Sequence, residues 1–129
     1  MERIDVAVIG GGQSGLAAAR ALRHRTLAPV IFEAAGEPTG AWPRYYDSLR
    51  LFSPARYSGL PGLPFGGDPA RYPHRDEVVD YLRRHAAGLD VEVRPRQRVE
   101  AAKADTDPAG FAAQRLADQI TTHLRRGTR

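Results

Sequence analysis

Two short apolar runs, with an amphipathic stretch between them, open the chain. Val6–Ile9 and Pro29–Ala34 are largely apolar over the length of a buried strand. Between these runs, apolar residues recur three and four positions apart, which is the period of a helix with one buried face. The pattern predicts a strand, a helix from Gln13 to about Arg25, and a second strand.

A second group of elements follows a long irregular stretch. Residues 36–76 are rich in proline and glycine, which predicts loops, and a loop region of this length is expected to lie over a ligand. A helix is predicted to begin at Arg75, where acidic residues follow, and to stop at Gly88. Residues 91–94 alternate between valine and polar residues, as in a half-buried strand, and another strand is predicted to begin near Val99. This order predicts an α/β fold with a Rossmann-like βαβ unit and a parallel sheet.

The glycines after the first strand form a motif with a known mechanical basis. Gly10, Gly12 and Gly15 fit G-x-G-x-x-G, although in a chain with 13 glycines the motif alone is weak and gains weight from its place between a strand and a helix. These glycines permit a sharp turn, a close approach to a pyrophosphate and tight packing of the helix on the strand. Unpaired amides at the helix start, around Gln13 and Ser14, attract phosphate. The motif predicts a dinucleotide site.

An acidic residue ends the second apolar run. Glu33 lies 18 residues beyond Gly15, where a carboxylate can accept hydrogen bonds from ribose hydroxyls. The alternative is that Glu33 is a solvated strand end. A nucleophile elbow is excluded, because G-x-S-x-G around Ser14 would need glycine where Leu16 stands.

Composition narrows the class of protein. The chain has no cysteine, so a disulfide framework and a thiolate nucleophile are excluded, and no apolar run approaches the roughly 18 residues of a membrane span. The net charge is +4, but the arginines are dispersed and do not form a nucleic-acid platform. We expect a cytoplasmic protein with no membrane, nucleic-acid or metal partner.

Several motifs in order resemble one family. The likeness spans about residues 3 to 101 and resembles the N-terminal part of flavin-containing monooxygenases, among bacterial flavoproteins that use NAD(P) and FAD. The motifs that carry it are Gly10-Gly11-Gly12-Gln13-Ser14-Gly15-Leu16, Glu33, Gly40-Ala41-Trp42, Leu51-Phe52-Ser53-Pro54, Ser58-Gly59-Leu60-Pro61-Gly62, Tyr72-Pro73-His74-Arg75-Asp76-Glu77 and Tyr81-Leu82.

The resemblance implies FAD as the cofactor, with its pyrophosphate on the glycine loop. It implies that Glu33, with Ala34 beside it, holds the adenosine ribose and that the backbone of Val99 contacts the adenine. In the complete family NADPH reduces FAD, and the reduced flavin activates oxygen.

The resemblance also implies residues on the flavin side of the cofactor. Gly40 and Trp42 would lie beside the flavin, and the segment around Ser53 would run near the isoalloxazine. Many relatives carry an asparagine there, so Ser53 leaves open whether the flavin monooxygenates or only exchanges hydride. Trp42 has the alternative role of filling core volume.

Other features leave alternatives open. No second glycine loop for NADPH follows residue 100. We therefore expect a truncated family member with a partial FAD-binding domain over residues 1–102. One alternative is a non-catalytic remnant or partner-dependent module that self-associates through an incomplete sheet. A weaker one is an NAD-binding dehydrogenase domain, because Glu33 would serve the ribose of NAD equally well.

The last residues have a different pattern from the motifs above. Residues 103–129 are predicted to be a tail outside the family pattern that forms an amphipathic helix, because Asp107 and Pro108 are typical of a helix start and apolar residues recur at helical spacing up to Leu124. The histidines within helical, arginine-rich stretches are expected at the surface; they are His24, His85 and His123.

Overall fold

A computed structural model describes residues 2–103 and 121–126, the last six by their backbone. The regular elements are β1 (Val6–Ile9), α1 (Gln13–Arg23), β2 (Pro29–Phe32), α2 (Arg75–Gly88), β3 (Glu92–Arg94), β4 (Gln97–Lys103) and β5 (Thr121–Arg126). Two single-turn 3-10 helices, Trp42–Arg44 and Ala55–Tyr57, interrupt the long irregular segment. The predicted order of strands and helices is confirmed up to residue 103.

A parallel sheet in the order β1-β2-β3 forms the centre of the fold. Val6 pairs with Pro29 and Ile9 with Phe32, while Val30 pairs with Glu92 on the other side of β2. All four residues of β2 are buried. The α/β fold with a parallel sheet, predicted from the sequence, is therefore confirmed, and the apolar run in β2 reflects its central position.

Both helices contribute to one core. Leu16 and Ala19 of α1 meet Ile31 of β2, and Tyr81 and Leu82 lie on the buried face of α2. None of the helices within the described ranges is long and apolar enough to cross a membrane.

One tyrosine of α2 holds part of the irregular segment onto the helix. The Tyr81 hydroxyl donates to the carbonyl of Leu63 at 2.6 Å and accepts from the amide of Leu60 at 2.7 Å. Its ring stacks on Phe65 at 4.6 Å between centroids. One buried side chain thus attaches residues 60–65 to α2, in addition to the backbone hydrogen bonds within the irregular segment.

The start of α2 carries a capping box. His74 Nδ1 accepts from the amide of Asp76 at 3.1 Å, while the amide of His74 donates to Glu77 Oε2 at 2.7 Å. His74 Nε2 then donates to the carbonyl of Asp47 at 2.5 Å. This histidine has a structural role that links a helix start to the preceding loop.

The tail differs from the prediction. The segment Thr121–Arg126 forms β5, antiparallel to β4, with Val99 opposite Leu124 and a register irregularity between Val99 and Ala101. The predicted helix is therefore wrong over this segment, while its part over residues 104–120 lies outside the described residues. The reason is that β4 offers unpaired backbone groups, and pairing with them overrides a helical periodicity that is only local.

His85 also differs from the prediction. It is 4 % exposed and packs within α2 against the Pro61 carbonyl, to which its Nε2 lies at 3.4 Å. The expectation of a surface position was wrong, because the irregular segment folds back over this end of α2. His24 is exposed, as predicted, and the side chain of His123 lies outside the described part of the chain.

Replacing His74 by alanine tests the capping box. We expect His74→Ala to lower the free energy of unfolding by about 1 kcal/mol, because the amide of Asp76 loses its acceptor and the carbonyl of Asp47 loses its donor. His74→Asn, which keeps an acceptor at the cap, serves as the control and should lose less. Urea denaturation followed by circular dichroism measures both, and equal losses would contradict the capping role.

Candidate dinucleotide-binding site

The loop between β1 and α1 has the backbone geometry that its glycines permit. Gly10 has φ of +97° and donates its amide to the carbonyl of Phe32 at 2.8 Å, so the loop turns at the carboxyl ends of β1 and β2. A Cβ on Gly15 would overlap the carbonyl oxygen of Gly10 and meet Val8 Cγ1 at 3.4 Å. The first turn of α1 therefore lies directly on the strand end.

The start of α1 presents uncapped amides. Its N-cap is Gly12, which has no side chain to accept from the helix, and no acidic residue lies in the first turn. Gln13 and Ser14 are exposed, and the amides of Gly12, Gln13 and Ser14 find no acceptor among the described residues. Free amides at the positive end of the helix dipole form a site for an anion.

Glu33 faces this loop. Its side chain is buried, with Oε2 accepting from the amide of Gly11 at 2.6 Å and Oε1 accepting from the amide of Ala35 at 2.8 Å. The alternative of a solvated strand end is therefore wrong. Each carboxylate oxygen has a second lone pair, so the group retains capacity for a hydroxyl donor. Ala34, between these partners, is exposed.

A second segment lies against the glycine loop. Gly40 has φ of +61°, and a Cβ placed on it would lie 3.1 Å from Gly12 Cα. A Cβ on Gly11 would lie 2.7 Å from Pro38 Cβ. The backbones of Gly12 and Gly40 thus lie close together, which brings Gly40 to the predicted site.

Trp42 follows in the same segment. It is half-buried, packs against the core and meets Tyr45 edge-on at 5.3 Å between ring centroids. Part of the Trp42 ring therefore fills core volume, which was the alternative role. A position beside the flavin stays a prediction.

Sequence reasoning missed three residues of this site. Gly11 is buried and supplies the amide that Glu33 binds, although the motif treats it as a variable position. Pro38 packs on Gly11, and Thr39 is 1 % exposed. The run of three consecutive glycines was the available signal for Gly11. Nothing local indicated Pro38 or Thr39.

Val99 and Ser53 occupy different surroundings. The amide of Gln97 donates to the carbonyl of Glu33 at 2.9 Å, so β4 starts beside Glu33 and Val99 follows two residues along that strand. Ser53 Oγ lies 2.9 Å from Ser58 Oγ, within a local turn. No hydrogen bond among the described residues joins Ser53 to the glycine loop. The adenine contact of Val99 and the flavin contact of Ser53 both stay predictions.

Charge pairs surround the second segment. Arg83 of α2 binds Glu37 with two hydrogen bonds, which lowers the pKa of that carboxyl and raises the pKa of the Arg83 guanidinium. Hydrogen bonds to Asp76 and then Asp47 raise the pKa of Arg75. Glu37, Arg83 and Arg75 therefore stay charged near neutral pH.

A separate groove lies away from the glycine loop. A groove of about 650 Å³ runs along the irregular segment between Ala55 and Pro69, and no glycine-loop residue lines it. The glycine loop and Glu33 instead form an open surface at the carboxyl ends of β1 and β2. Since a dinucleotide binds outside the carboxyl ends of parallel strands, this surface is the candidate site and the groove is not.

Three features together define a dinucleotide-binding βαβ unit. They are a glycine turn on a parallel strand pair, uncapped amides at the start of the following helix, and a carboxylate at the end of the next strand. The chain belongs to the family described as Pyridine nucleotide-disulphide oxidoreductase, which it matches over residues 7–123.

Individual relatives agree with this family. An uncharacterized CzcO-like oxidoreductase of Geobacillus kaustophilus is 32% identical over 120 residues, which cover 88% of this chain and 34% of the relative. The indole-3-pyruvate monooxygenase YUCCA6 of Arabidopsis thaliana is 31% identical over 116 residues, covering 89% and 28%. The solved flavin-containing monooxygenase from Stenotrophomonas maltophilia has a TM-score of 0.77 and 41% identity, covering 83% of this chain and 32% of its own. The chain thus spans about a third of the length of these relatives.

Gly15→Ala tests the close packing of α1 on β1. Alanine would gain about 1 kcal/mol of helix propensity, but overlap with Gly10 should leave a net loss of at least about 2 kcal/mol in the free energy of unfolding. Gly88→Ala is the matched control, since a Cβ there meets nothing within 4 Å. Urea unfolding curves measure both, and equal stability of the two variants would contradict the packing.

Proposed function

We propose that this chain is the FAD-binding segment of a flavin-dependent oxidoreductase of the monooxygenase type. The observation that carries the proposal is the buried Glu33 carboxylate, which lies between the glycine loop and the start of β4. A carboxylate in this place is suited to the ribose of a dinucleotide.

The residues present fit the adenosine diphosphate half of FAD. The amides of Gly12, Gln13 and Ser14 would hold the pyrophosphate, because they have no other described acceptor and lie at the positive end of α1. Glu33 would accept hydrogen bonds from ribose hydroxyls through the lone pairs that Gly11 and Ala35 leave free.

The flavin half would lie toward Gly40 and Trp42. Bound FAD supplies hydride and electron chemistry that no protein side chain performs, while the protein contributes position and electrostatics. Ser53 is proposed to approach the flavin, and its hydroxyl in place of an amide leaves monooxygenation and simple hydride oxidation as alternatives. NADPH as the reductant and oxygen activation are proposals about the whole protein, supported by relatives named as monooxygenases.

A second candidate function is a module that associates through its sheet edge. β1 pairs only with β2 among the described residues, and Ile9 on this edge strand is 58 % exposed. An unpaired edge with an exposed apolar residue favours pairing with another chain. A monodisperse monomer in light scattering would count against this candidate.

Other expectations stay predictions from the sequence. These are the cytoplasmic location, the lack of nucleic-acid partners and the boundary between residues 102 and 103. NAD remains a weaker alternative to FAD, and a larger thermal shift with NAD than with FAD would favour it.

Glu33→Gln tests the proposed cofactor. We expect the purified chain to take up FAD with visible flavin absorbance, and Glu33→Gln to raise the Kd for FAD roughly tenfold or more, because a charged acceptor of ribose hydroxyls is lost. Affinity for FMN, which lacks the adenosine half, should change little.

The control is Asp90→Asn, which removes an exposed carboxylate whose partner is Arg23. Isothermal titration measures the affinities, and thermal unfolding checks that each variant is folded. Wild-type chain without flavin absorbance after FAD addition would refute the cofactor, and equal FAD affinities of both variants would refute the role of Glu33.

A further inference from the structure

Residues 37–47, which we call the covering segment, contact the glycine loop at Pro38 and Gly40 and have little regular structure. Pro38 packs on Gly11, and Gly40 lies against Gly12. The only regular element in the segment is the turn Trp42–Arg44. Such a segment needs side-chain attachments if it is to stay in one position.

The first attachment joins its start to α2. Arg83 Nε donates to Glu37 Oε2 at 2.8 Å, and Arg83 Nη2 donates to Glu37 Oε1 at 2.7 Å. This is a two-pronged pair, which fixes direction as well as distance. Asp80, one helical turn earlier, accepts from Arg83 Nη1 at 3.0 Å and orients the guanidinium.

The second attachment joins the end of the segment to the first turn of α2. Arg75 Nη1 donates to the carbonyl of Tyr45 at 2.5 Å and to Asp47 Oδ1 at 2.9 Å. Its Nε and Nη2 donate to Asp76 Oδ1. The Arg75 side chain is only 16% exposed, whereas its partner Asp47 lies at the surface.

The two arginines share one face of the helix. They stand eight residues apart, which corresponds to roughly 12 Å along α2. A hollow of about 310 Å³ between them is lined by Pro43, Arg75, Val79 and Arg83. The covering segment is therefore attached to α2 by an arginine at each end, and its turn Trp42–Arg44 also contacts the helix.

We propose that Arg75 and Arg83 are positioning residues that hold the covering segment against the glycine loop, and that this arrangement raises affinity for the dinucleotide. The inference rests on the proposed function. Neither arginine needs to touch the cofactor. Because α2 is capped and packed in the core, it provides a rigid base, and a segment ordered in advance loses less conformational entropy when the cofactor binds.

The fluorescence of Trp42 reports on the covering segment in the absence of any cofactor. It is the only tryptophan of the chain and lies between the two attachments. In Arg83→Ala, acrylamide should quench its fluorescence more strongly than in the wild type. The control Arg23→Ala breaks an exposed ion pair with Asp90 that does not involve the covering segment, and its quenching should stay at the wild-type level.

Cofactor titration gives the second readout. Arg83→Ala should raise the Kd for FAD roughly twofold to fivefold, as expected for loss of a partly exposed pair, while Arg23→Ala should not. The exchanged pair Glu37→Arg with Arg83→Glu should restore both affinity and quenching toward wild type. If Arg83 only stabilised the fold, Arg83→Ala would instead lower the melting temperature and leave FAD affinity and quenching unchanged.

The outcomes separate the two proposals. If the wild type binds FAD but Arg83→Ala matches Arg23→Ala in affinity and quenching, the positioning role is refuted and the cofactor stands. If the wild type binds no FAD, the proposed function fails, while the quenching comparison still decides whether Arg83 holds the segment. Arg75→Ala should raise acrylamide quenching and the Kd for FAD in the same direction as Arg83→Ala. If Arg75→Ala does not fold, the half-exposed Glu37–Arg83 pair carries the test alone.

Discussion

The arrangement of the site depends on one buried carboxylate. An ionised side chain away from water is costly unless its oxygens are hydrogen-bonded, and Glu33 meets this demand with the amides of Gly11 and Ala35. Its own carbonyl accepts from Gln97, the first residue of β4. The glycine loop, the turn after β2 and the start of β4 are thus brought together by the need to satisfy a single residue.

The irregular half of the fold depends on α2 in a similar way. Backbone hydrogen bonds join parts of this chain to one another, such as Leu51 to Pro73, and side chains of the helix attach it to α2: Tyr81 holds residues 60–63, and Arg75 and Arg83 hold residues 37–47. Proline and glycine keep long helices and strands out of the segment, but its conformation is still fixed by contacts. The regular helix α2 thereby fixes the position of an irregular segment.

Elements with local signals were predictable, and elements that need distant partners were not. β1, α1 and α2 followed from apolar spacing and caps, since those patterns act within a few residues. The tail was predicted as a helix from the same kind of spacing, yet Thr121–Arg126 pairs with β4 because unpaired strand groups are a stronger constraint. His85 looked like a surface residue until residues 60–63 were seen to cover it.

For the site, the sequence alone determined the glycine turn, the uncapped start of α1 and an acid at the end of β2, because each depends on residue type at a fixed local spacing. Only the tertiary structure decided that Glu33 takes the amide of Gly11, that Gly40 lies on Gly12, and that Glu37 meets Arg83. These contacts join residues 22 to 46 positions apart. Their geometry arises from how the helices and sheet pack, and a local pattern carries no information about that packing.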